Sequence, residues 1–373
     1  MDLDFTPDQD TLRDSIRAVV SKEAPIALAR AVAETGIGAE GFGRVVGELG
    51  WAALTVPEAF GGIGLGAIEA GILAEELGRV VAPGPLLATV TQFTPVVAAL
   101  GSSEQQQRWL GAVASGSLAG TVGLHERDGQ YSLASTRATA ALDGGDVVLG
   151  GTKAFVIEAT AVDEIACVVR GPGGIGVVIV PRDAVAITPI DSLDPTRRLA
   201  HVGLDGVRLP ADRILGGPDA FGAHDAELAD ALLHAVCALA LEIVGTCQTI
   251  FDIALEYAKE RRQFGVAIGS FQAVKHKFAD MIVALERARA TGYLAALCLA
   301  EGDDRAALNV SVAKAAAGDC QRRLGKEGIQ ILGGIGYTWE HDMHLYVKRV
   351  KADDLLFGSG GHHRAHIAEL LEV

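Results

Sequence analysis

The feature that most constrains the fold is the order of three residue patterns along the chain. Up to about residue 118, apolar side chains recur at helical spacing. Short β-branched runs separated by Gly, Asp and Pro clusters then continue to about residue 217. Beyond them the helical spacing returns in longer segments. This order predicts an α+β multidomain protein with an N-terminal all-α domain (1–118), a middle β-barrel-like domain (119–217) and a C-terminal helical bundle domain (218–373).

The individual elements follow from the same spacing. N-terminal helical segments are predicted at 8–34, 39–50, 66–80 and 85–115. Strands are predicted at 147–149, 155–157, 165–169 and 176–180. Long helices are predicted at 223–260, 271–301 and 306–332. Because only short connections separate the long helices, we expect them to pack together as a bundle.

The composition limits the classes of function open to this chain. With 373 residues, 49% of them hydrophobic, it can form several cores, since a single core stops growing at roughly 250–300 residues. The formal net charge of −15 argues against a nucleic-acid partner, because phosphate contacts need clustered Lys and Arg. Five cysteines without CxxC or metal-ligand spacing fit a reducing compartment and predict buried thiols.

The N-terminal sequence and the apolar stretches predict a cytoplasmic protein. The opening MDLDFTPDQDTLRD lacks the basic segment and apolar run of a secretory signal. The apolar stretch 235–240 is followed by Glu242 and Gln248 before it reaches the roughly 20 residues that a membrane span needs. We therefore expect a cytoplasmic location and no membrane partner.

Three histidines close to the C-terminus, His362, His363 and His366, are the one group that resembles a metal site. No Cys or paired carboxylate stands beside them at ligand spacing. We interpret them as a solvated or interface-facing helix start and predict no metal.

The segment ERRQFG at 260–265 has side chains suited to an anion. Arg261 carries a planar guanidinium that matches two phosphate oxygens, and Gly265 lets the backbone approach closely. The alternative interpretation is an ordinary turn between helices with solvated charge. The candidate cofactor-binding residues here are Arg261, Gln263, Phe264 and Gln272.

The segment QILGGIGYT at 330–338 ends a predicted helix on glycine. Gly333 and Gly334 expose backbone N–H groups to an anion or an adenine edge, which side chains would block. A glycine at this position is also a common helix C-cap, so the motif alone leaves both interpretations open. The candidate binding residues are Gln330, Gly333 and Gly334.

These segments resemble those of the acyl-CoA dehydrogenase family, and the resemblance covers essentially the whole chain. Further similar segments are 49–87, with VPEAFGG and EELGR, 147–169, with GGTKAFVI, and 204–217, with LPADRILGG. The resemblance implies the acyl-CoA dehydrogenase fold with a C-terminal four-helix bundle, FAD as cofactor and an acyl-CoA as substrate. It also implies that 260–272 reaches across a subunit interface, with Arg261 against the FAD pyrophosphate, and that 330–338 contacts the adenine nucleotide.

Dehydrogenation of a thioester needs a carboxylate at Cα, because a weakly acidic proton leaves as the β-hydrogen transfers to the flavin as hydride. In most members of the family this glutamate follows the last long helix, and counting from Glu340 places it at Phe357. In a minority it lies early in an earlier long helix, at a position that falls on Ala235. We therefore predict no catalytic residue at either usual position. The nearest acids, which we interpret as structural or solvated, are Asp353, Asp354 and Glu242.

The β-domain half of the flavin site also departs from the family pattern. Where relatives show T-E-P-x-x-G-S-D, this chain has GLHERDGQYS at 123–132. The W-I-T/S that packs against the flavin becomes Phe155-Val156-Ile157, which loses a hydroxyl. We therefore expect little FAD on the β domain of this chain alone.

The chain retains what the family donates to a neighbour's flavin and lacks what it uses for its own chemistry. This asymmetry predicts the non-catalytic subunit of an α2β2 acyl-CoA dehydrogenase, in which a related chain carries the glutamate. Such assemblies act on bulky acyl-CoA substrates, sterol-derived ones among them. Two alternatives stay open: a homotetrameric enzyme with a displaced acid such as Asp354, and a flavin-free scaffold. The sequence does not identify the acyl group.

Overall fold

The computed structural model describes residues 4–129 and 131–373 and contains two compact units. The first unit comprises the chain up to Ala39 together with 67–83 and 236–373, and the second comprises 40–66 and 84–235. Each unit therefore combines segments that are distant in sequence. The three domain ranges given above stay predictions.

The helices of the described residues follow the predicted order. They are α1 (Pro7–Glu23), α2 (Ile26–Thr35), α3 (Glu40–Glu48), α4 (Ala67–Arg79), α5 (Leu86–Ala88), α6 (Thr94–Leu100), α7 (Ser103–Ala114), α8 (Asp225–Glu260), α9 (Gln272–Glu301), α10 (Ala306–Leu332), α11 (Met343–Leu355) and α12 (Gly360–Leu370). A π-helical turn, Thr89–Phe93, joins α5 to α6.

The strands lie almost entirely between the two helical parts of the chain. They are β1 (Gly120–Gly123), β2 (Thr139–Asp143), β3 (Asp146–Gly150), β4 (Thr152–Ile157), β5 (Glu164–Gly171), β6 (Gly174–Pro181), β7 (Ala186–Pro189), β8 (Leu199–Gly203), β9 (Arg208–Pro210), β10 (Arg262–Gln263) and β11 (Val266–Ala267).

Two predicted helices are interrupted in the structure. The helix expected at 8–34 is α1 followed by α2, because Pro25 has no N–H to continue the first helix and stands immediately before the second. The helix expected at 85–115 breaks before Ser102, whose side chain accepts a hydrogen bond from Gln105 N and starts α7 with a capping box. The long helices α8, α9 and α10 are confirmed at nearly the predicted bounds.

Close contact between helices holds the first unit together. A Cβ on Gly245 of α8 would lie 1.8 Å from Glu75 O of α4, and one on Gly78 would lie 2.2 Å from Glu242 O. Thr246 Oγ1 donates to Gly78 O at 2.9 Å across the same contact. The two helix backbones therefore meet directly, and only glycine fits at these positions.

The β strands of the second unit form two sheets. The larger sheet has the order β1-β5-β2-β3-β9, and β6 also pairs with β5. The smaller sheet has the antiparallel order β4-β8-β7. Alternate residues of β5, Ile165, Cys167 and Val169, enter one core with Val156 of β4 and Val202 of β8. Both sheets therefore contribute to a common core.

One helix of the described chain, α8, is long and apolar enough to cross a membrane by length and composition alone. Of its most apolar 18-residue window, 78% is buried within the protein, as in the core helix of a globular protein. The five cysteines, two of them on this helix, are free and buried, which confirms the prediction of buried thiols.

Gly245→Ala is expected to destabilise the protein strongly, because the new Cβ would overlap the carbonyl oxygen of Glu75 and force α4 and α8 apart. Overpacking of this kind lowers the free energy of unfolding by about 3 kcal/mol. Denaturant unfolding monitored by circular dichroism measures the change. The control is Gly43→Ala in α3, where a Cβ meets nothing within 4 Å and helix propensity improves. Equal stability of the two variants would contradict the contact.

Candidate cofactor-binding and catalytic site

The segment after α8 is a tight β-hairpin. Arg262 pairs with Ala267 and Gln263 with Val266, so the two-residue loop is Phe264-Gly265. Both loop residues have positive φ, 54° and 83°, as the turn of a two-residue hairpin requires. For a bulky aromatic residue this backbone is strained, and such strain is concentrated at functional positions.

The hairpin directs its side chains away from the rest of the chain. Phe264 is 93% exposed, and its ring lies edge-to-face with that of Phe271 at 6.1 Å between centroids. Gln263 and Gln272 are exposed as well. An apolar ring left this open on a protein surface marks a contact with another molecule.

A group of cations surrounds the hairpin. Arg261, Arg262, Lys275 and His276 are all exposed, and none makes a side-chain hydrogen bond or ion pair within the described residues. Nearby, α9 begins at Gln272 without a side-chain cap from Phe271. Open N–H groups at a helix start and unpaired guanidinium groups are the combination that binds phosphate oxygens. The residues of this segment therefore fit a pyrophosphate.

The predicted adenine segment lies at the end of α10. Gly333 has φ 69° and ends the helix, and a short 3₁₀ turn, Gly333–Tyr337, follows. Gln330, Gly333 and Gly334 are exposed, and a Cβ on either glycine would meet nothing within 4 Å. Packing within this chain therefore does not require glycine at position 334. The open backbone there would allow a ligand to approach closely.

In the β-domain loop, the polar groups bind one another. Lys153 Nζ, fully buried, donates to Glu126 Oε1 at 2.8 Å and to Leu124 O at 3.2 Å. The same carboxylate accepts from the backbone N–H of Arg137 and Ala138. Burial favours a raised pKa for Glu126, but Lys153 and these N–H groups outweigh it, so the pKa is lowered. Glu126 is therefore an ionised structural group.

Aromatic residues occupy the predicted flavin-facing positions of the β domain. His125 is buried against Tyr131, with ring centroids 4.5 Å apart, and Gln130 of this loop lies outside the described residues. Phe155 has φ 54° at a register shift between β4 and β8 and is 37% exposed, with the His201 ring at 5.9 Å. The segment Phe155-Val156-Ile157 offers no hydroxyl where the family pattern has one, so its side chains fit a flavin poorly.

The two usual positions of the base are apolar and buried. Ala235 lies in α8 with 1% exposure. Phe357 lies in the turn between α11 and α12 with 6% exposure and φ 53°. Its carbonyl oxygen accepts a hydrogen bond from His363 Nε2 at 2.9 Å. Neither side chain accepts a proton.

The three acids nearest to these positions are buried rather than solvated. Glu242 pairs with the fully buried Arg349 at 2.9 Å. Asp354 Oδ2 accepts from Gln321 Nε2 at 3.0 Å, and Asp353 is 0% exposed. Of the two interpretations offered by the sequence, structural or solvated, the structure supports the first.

Two residues that carry hydrogen bonds near Phe357 were missed or misjudged from the sequence. Lys314 of α10 is fully buried, and its Nζ binds the backbone around the turn. Its position within the apolar run SVAKAAAG could have indicated that this lysine is buried. His363, expected at a solvated or interface-facing helix start, is 5% exposed, because its ring bridges Phe357 O and Ser311 Oγ. No group of His, Cys, Asp and Glu in the described chain is arranged to hold a metal.

Comparisons with known proteins find relatives that match nearly the whole chain. The acyl-CoA dehydrogenase IpdE2 of Mycobacterium tuberculosis is 32% identical over 359 residues, 95% of each chain. The probable acyl-CoA dehydrogenase YngJ of Bacillus subtilis is 30% identical over the full length of both. A chain of the ChsE4–ChsE5 complex from M. tuberculosis superposes with a TM-score of 0.90 at 26% identity, covering 100% of this chain and 99% of that one.

The predicted fold, an N-terminal helical part, a central β region and a C-terminal helical bundle, is confirmed by these relatives. The model of the acyl-CoA dehydrogenase N-terminal domain matches residues 6–117, and that of the C-terminal domain matches 228–371. The chain therefore belongs to the acyl-CoA dehydrogenase family, a family of oxidoreductases, and its cofactor is FAD.

Proposed function

We propose that this chain is a subunit of a flavin-dependent acyl-CoA dehydrogenase that supplies cofactor-binding residues to a related partner chain, and that the partner carries the catalytic glutamate. The observation that carries the proposal is a contrast within one chain. The hairpin 260–272 presents exposed, unpaired cations and a 93% exposed Phe264, whereas Ala235 and Phe357 are buried and apolar. The chain is equipped to bind a flavin and not to remove a proton.

FAD, when bound, accepts the β-hydrogen of the acyl group as hydride. The guanidinium of Arg261 would neutralise pyrophosphate oxygens, with Gln263, Phe264 and Gln272 beside it. The exposed backbone N–H groups of 333–334, next to Gln330, would contact the adenine end. Since all of these residues lie on open surface, a second chain has to cover them before they can hold a cofactor in a dry site.

Proton removal is the step that this chain lacks. A carboxylate at Cα has to be free to accept the α-proton. Glu242 is neutralised by Arg349, and Asp354 is hydrogen-bonded inside the bundle. Burial of an acid together with its partner is the arrangement of a structural group. We therefore assign the base to the partner chain.

The partner is proposed to be a related acyl-CoA dehydrogenase chain in an α2β2 heterotetramer. A solved relative is a complex of two chains, ChsE4 and ChsE5. An assembly with half the usual number of active sites leaves room for a bulky acyl group, so we propose a large acyl-CoA substrate such as a sterol-derived one. We also propose that the heterotetramer is cytoplasmic and that it binds neither nucleic acid nor a membrane.

The flavin content of purified protein tests the proposal. Expressed alone, the chain should hold little FAD, because the β-domain half of its own site lacks the expected hydroxyls. Co-expressed with a related acyl-CoA dehydrogenase chain from the same genome that carries the glutamate, it should yield one FAD for each heterodimer, measured by absorbance after denaturation. Stoichiometric flavin on the isolated chain would favour the homotetramer, and a stable complex free of flavin would favour the scaffold.

Arg261→Ala should weaken FAD retention by the complex roughly tenfold to a hundredfold, the effect of losing one charge-assisted hydrogen bond. The fold should not change, since Arg261 makes no side-chain bond within the described chain. Equilibrium dialysis against FAD measures the change. Arg323→Ala is the matched control, because it removes an equally exposed charge that is already paired with Asp280. Equal loss in both variants would show a general charge effect.

Asp354→Asn should leave the rate of the complex within a few-fold of wild type. The asparagine Oδ1 can still accept from Gln321, and a true base contributes about 10²–10⁴ to the rate. Steady-state turnover with an artificial electron acceptor measures it, and the glutamate-to-glutamine variant of the partner chain serves as the inactive reference. Loss of turnover in Asp354→Asn with flavin still bound would make this chain the catalytic one.

A further inference from the structure

Lys314 is a fully buried charge that plays no part in the proposed chemistry. Its Nζ donates to Asp353 O at 2.8 Å, to Asp354 O at 3.0 Å and to Gly358 O at 3.0 Å. An ammonium group has three N–H donors and no acceptor, so its hydrogen-bonding capacity is matched in full by three carbonyl oxygens. The amine is therefore built into the site in its protonated form.

The carbonyl groups held by Lys314 lie on both sides of a turn. Asp353 and Asp354 are in the last turn of α11, where carbonyl groups have no partner within the helix. Gly358 lies beyond Phe357 and has φ 100°, next to the φ of 53° at Phe357. Lys314 thus connects the end of the helix to a strained turn, in which a left-handed phenylalanine has to be held in place.

A second side chain, that of His363 on α12, also binds the backbone of this turn. His363 Nε2 donates to Phe357 O at 2.9 Å, while Nδ1 lies 3.3 Å from Ser311 Oγ. Ser311 and Lys314 are one turn apart on α10, so a single face of this helix holds the turn at two points. Burial lowers the pKa of His363 to about 3, so this clamp stays neutral and unchanged at neutral and alkaline pH.

Burial and the neighbouring carboxylates shift the pKa of Lys314 in opposite directions. Burial lowers its pKa from 10.5 to about 8, against the carboxylates of Asp354 and Asp353, which act to raise it. Other titratable groups on the adjoining helices include Lys351, which lies 3.9 Å from Asp354, the ion pair of Asp319 with Arg364, and the histidines His362 and His363. Because its pKa is lowered, Lys314 begins to lose its proton as the pH rises above neutrality.

We propose that the ammonium group of Lys314 is the positioning element for the turn that contains Phe357, and that loss of its proton loosens this turn locally while the helical bundle stays folded. A neutral amine keeps only two N–H donors for three carbonyl oxygens and has a lone pair that repels the third, so one of the three hydrogen bonds between α11, Lys314 and Gly358 is lost. The inference rests on geometry within the bundle and does not depend on the proposed partner chain.

The proton linkage separates this local loosening from general alkaline unfolding. The pKa of Lys314 is lower in the folded chain than in the unfolded chain, so between about pH 8 and pH 10.5 the unfolded chain binds more protons at this residue. The contribution of Lys314 to global stability therefore rises with pH over this range. In the loosened turn the amine stays buried and has fewer carbonyl partners, so deprotonation favours the loosened turn over the intact one, whereas it disfavours global unfolding, which exposes the amine to water.

Hydrogen exchange followed by mass spectrometry, on the full chain between about pH 7 and pH 10, tests the proposal. After correction for intrinsic exchange, protection of the peptide spanning 355–361 should fall roughly threefold to tenfold as Lys314 deprotonates, the effect of one lost hydrogen bond. Peptides from the middle of α9 should keep their protection. A flat profile of the turn in the wild-type protein would overturn the proposal without any variant.

Lys314→Met removes the amine but keeps an apolar stem, so the turn should be weakly protected at pH 7 already and show no further change with pH. The matched control is Lys351→Met, which removes a half-exposed amine from the same cluster and should keep the wild-type profile. Persistence of the pH response in Lys314→Met, or its loss in Lys351→Met, would overturn the assignment. If Lys314→Met does not fold, the wild-type profile and the Lys351→Met profile still decide the question.

Discussion

The buried ion pair between Glu242 and Arg349 is the interaction on which the first unit depends. Their side chains are 2% and 0% exposed, so each charge has lost its water and relies on the other at 2.9 Å. Removing one member of such a pair costs about 3–5 kcal/mol, since the other is left buried and unpaired. The pair fastens α11 to α8, and the turn around Phe357 and the helix α12 follow α11 along the chain.

The same requirement explains why acids close to the expected base positions are poor candidates for catalysis. A buried carboxylate has to be compensated, and the residue that compensates it also prevents it from collecting a proton from a substrate. Arg349 does this for Glu242, and Gln321 binds Asp354. The cations of the hairpin are the reverse case, because Arg261 and Arg262 are exposed to water and have no ion-pair partner among the described residues.

Much of the fold could be predicted because it depends on local spacing. The long helices α8, α9 and α10 appear at nearly the predicted residues, since apolar periodicity and terminal glycines are local signals. The break at Pro25 was missed although its cause is local. Strands β1 and β8 were missed because they are short and their pairing partners are distant in sequence. Burial of His363 could not be predicted at all, because it depends on Ser311, 52 residues earlier, and on a turn whose shape the sequence does not reveal.

Three phenylalanines with left-handed backbone lie at positions that the sequence analysis connects with the site. Phe155 lies at the register shift of β4, Phe264 at the tip of the hairpin and Phe357 in the turn after α11, with φ between 53° and 54°. This conformation is unfavourable for an aromatic side chain and persists only where the surrounding structure enforces it. At Phe357 the enforcing groups are Lys314 and His363, which bind backbone carbonyls and not the side chain. A turn held through its backbone does not depend on the identity of the side chain at position 357, so the same turn could present a glutamate or a phenylalanine. The proposed non-catalytic role is therefore compatible with an intact turn at this position.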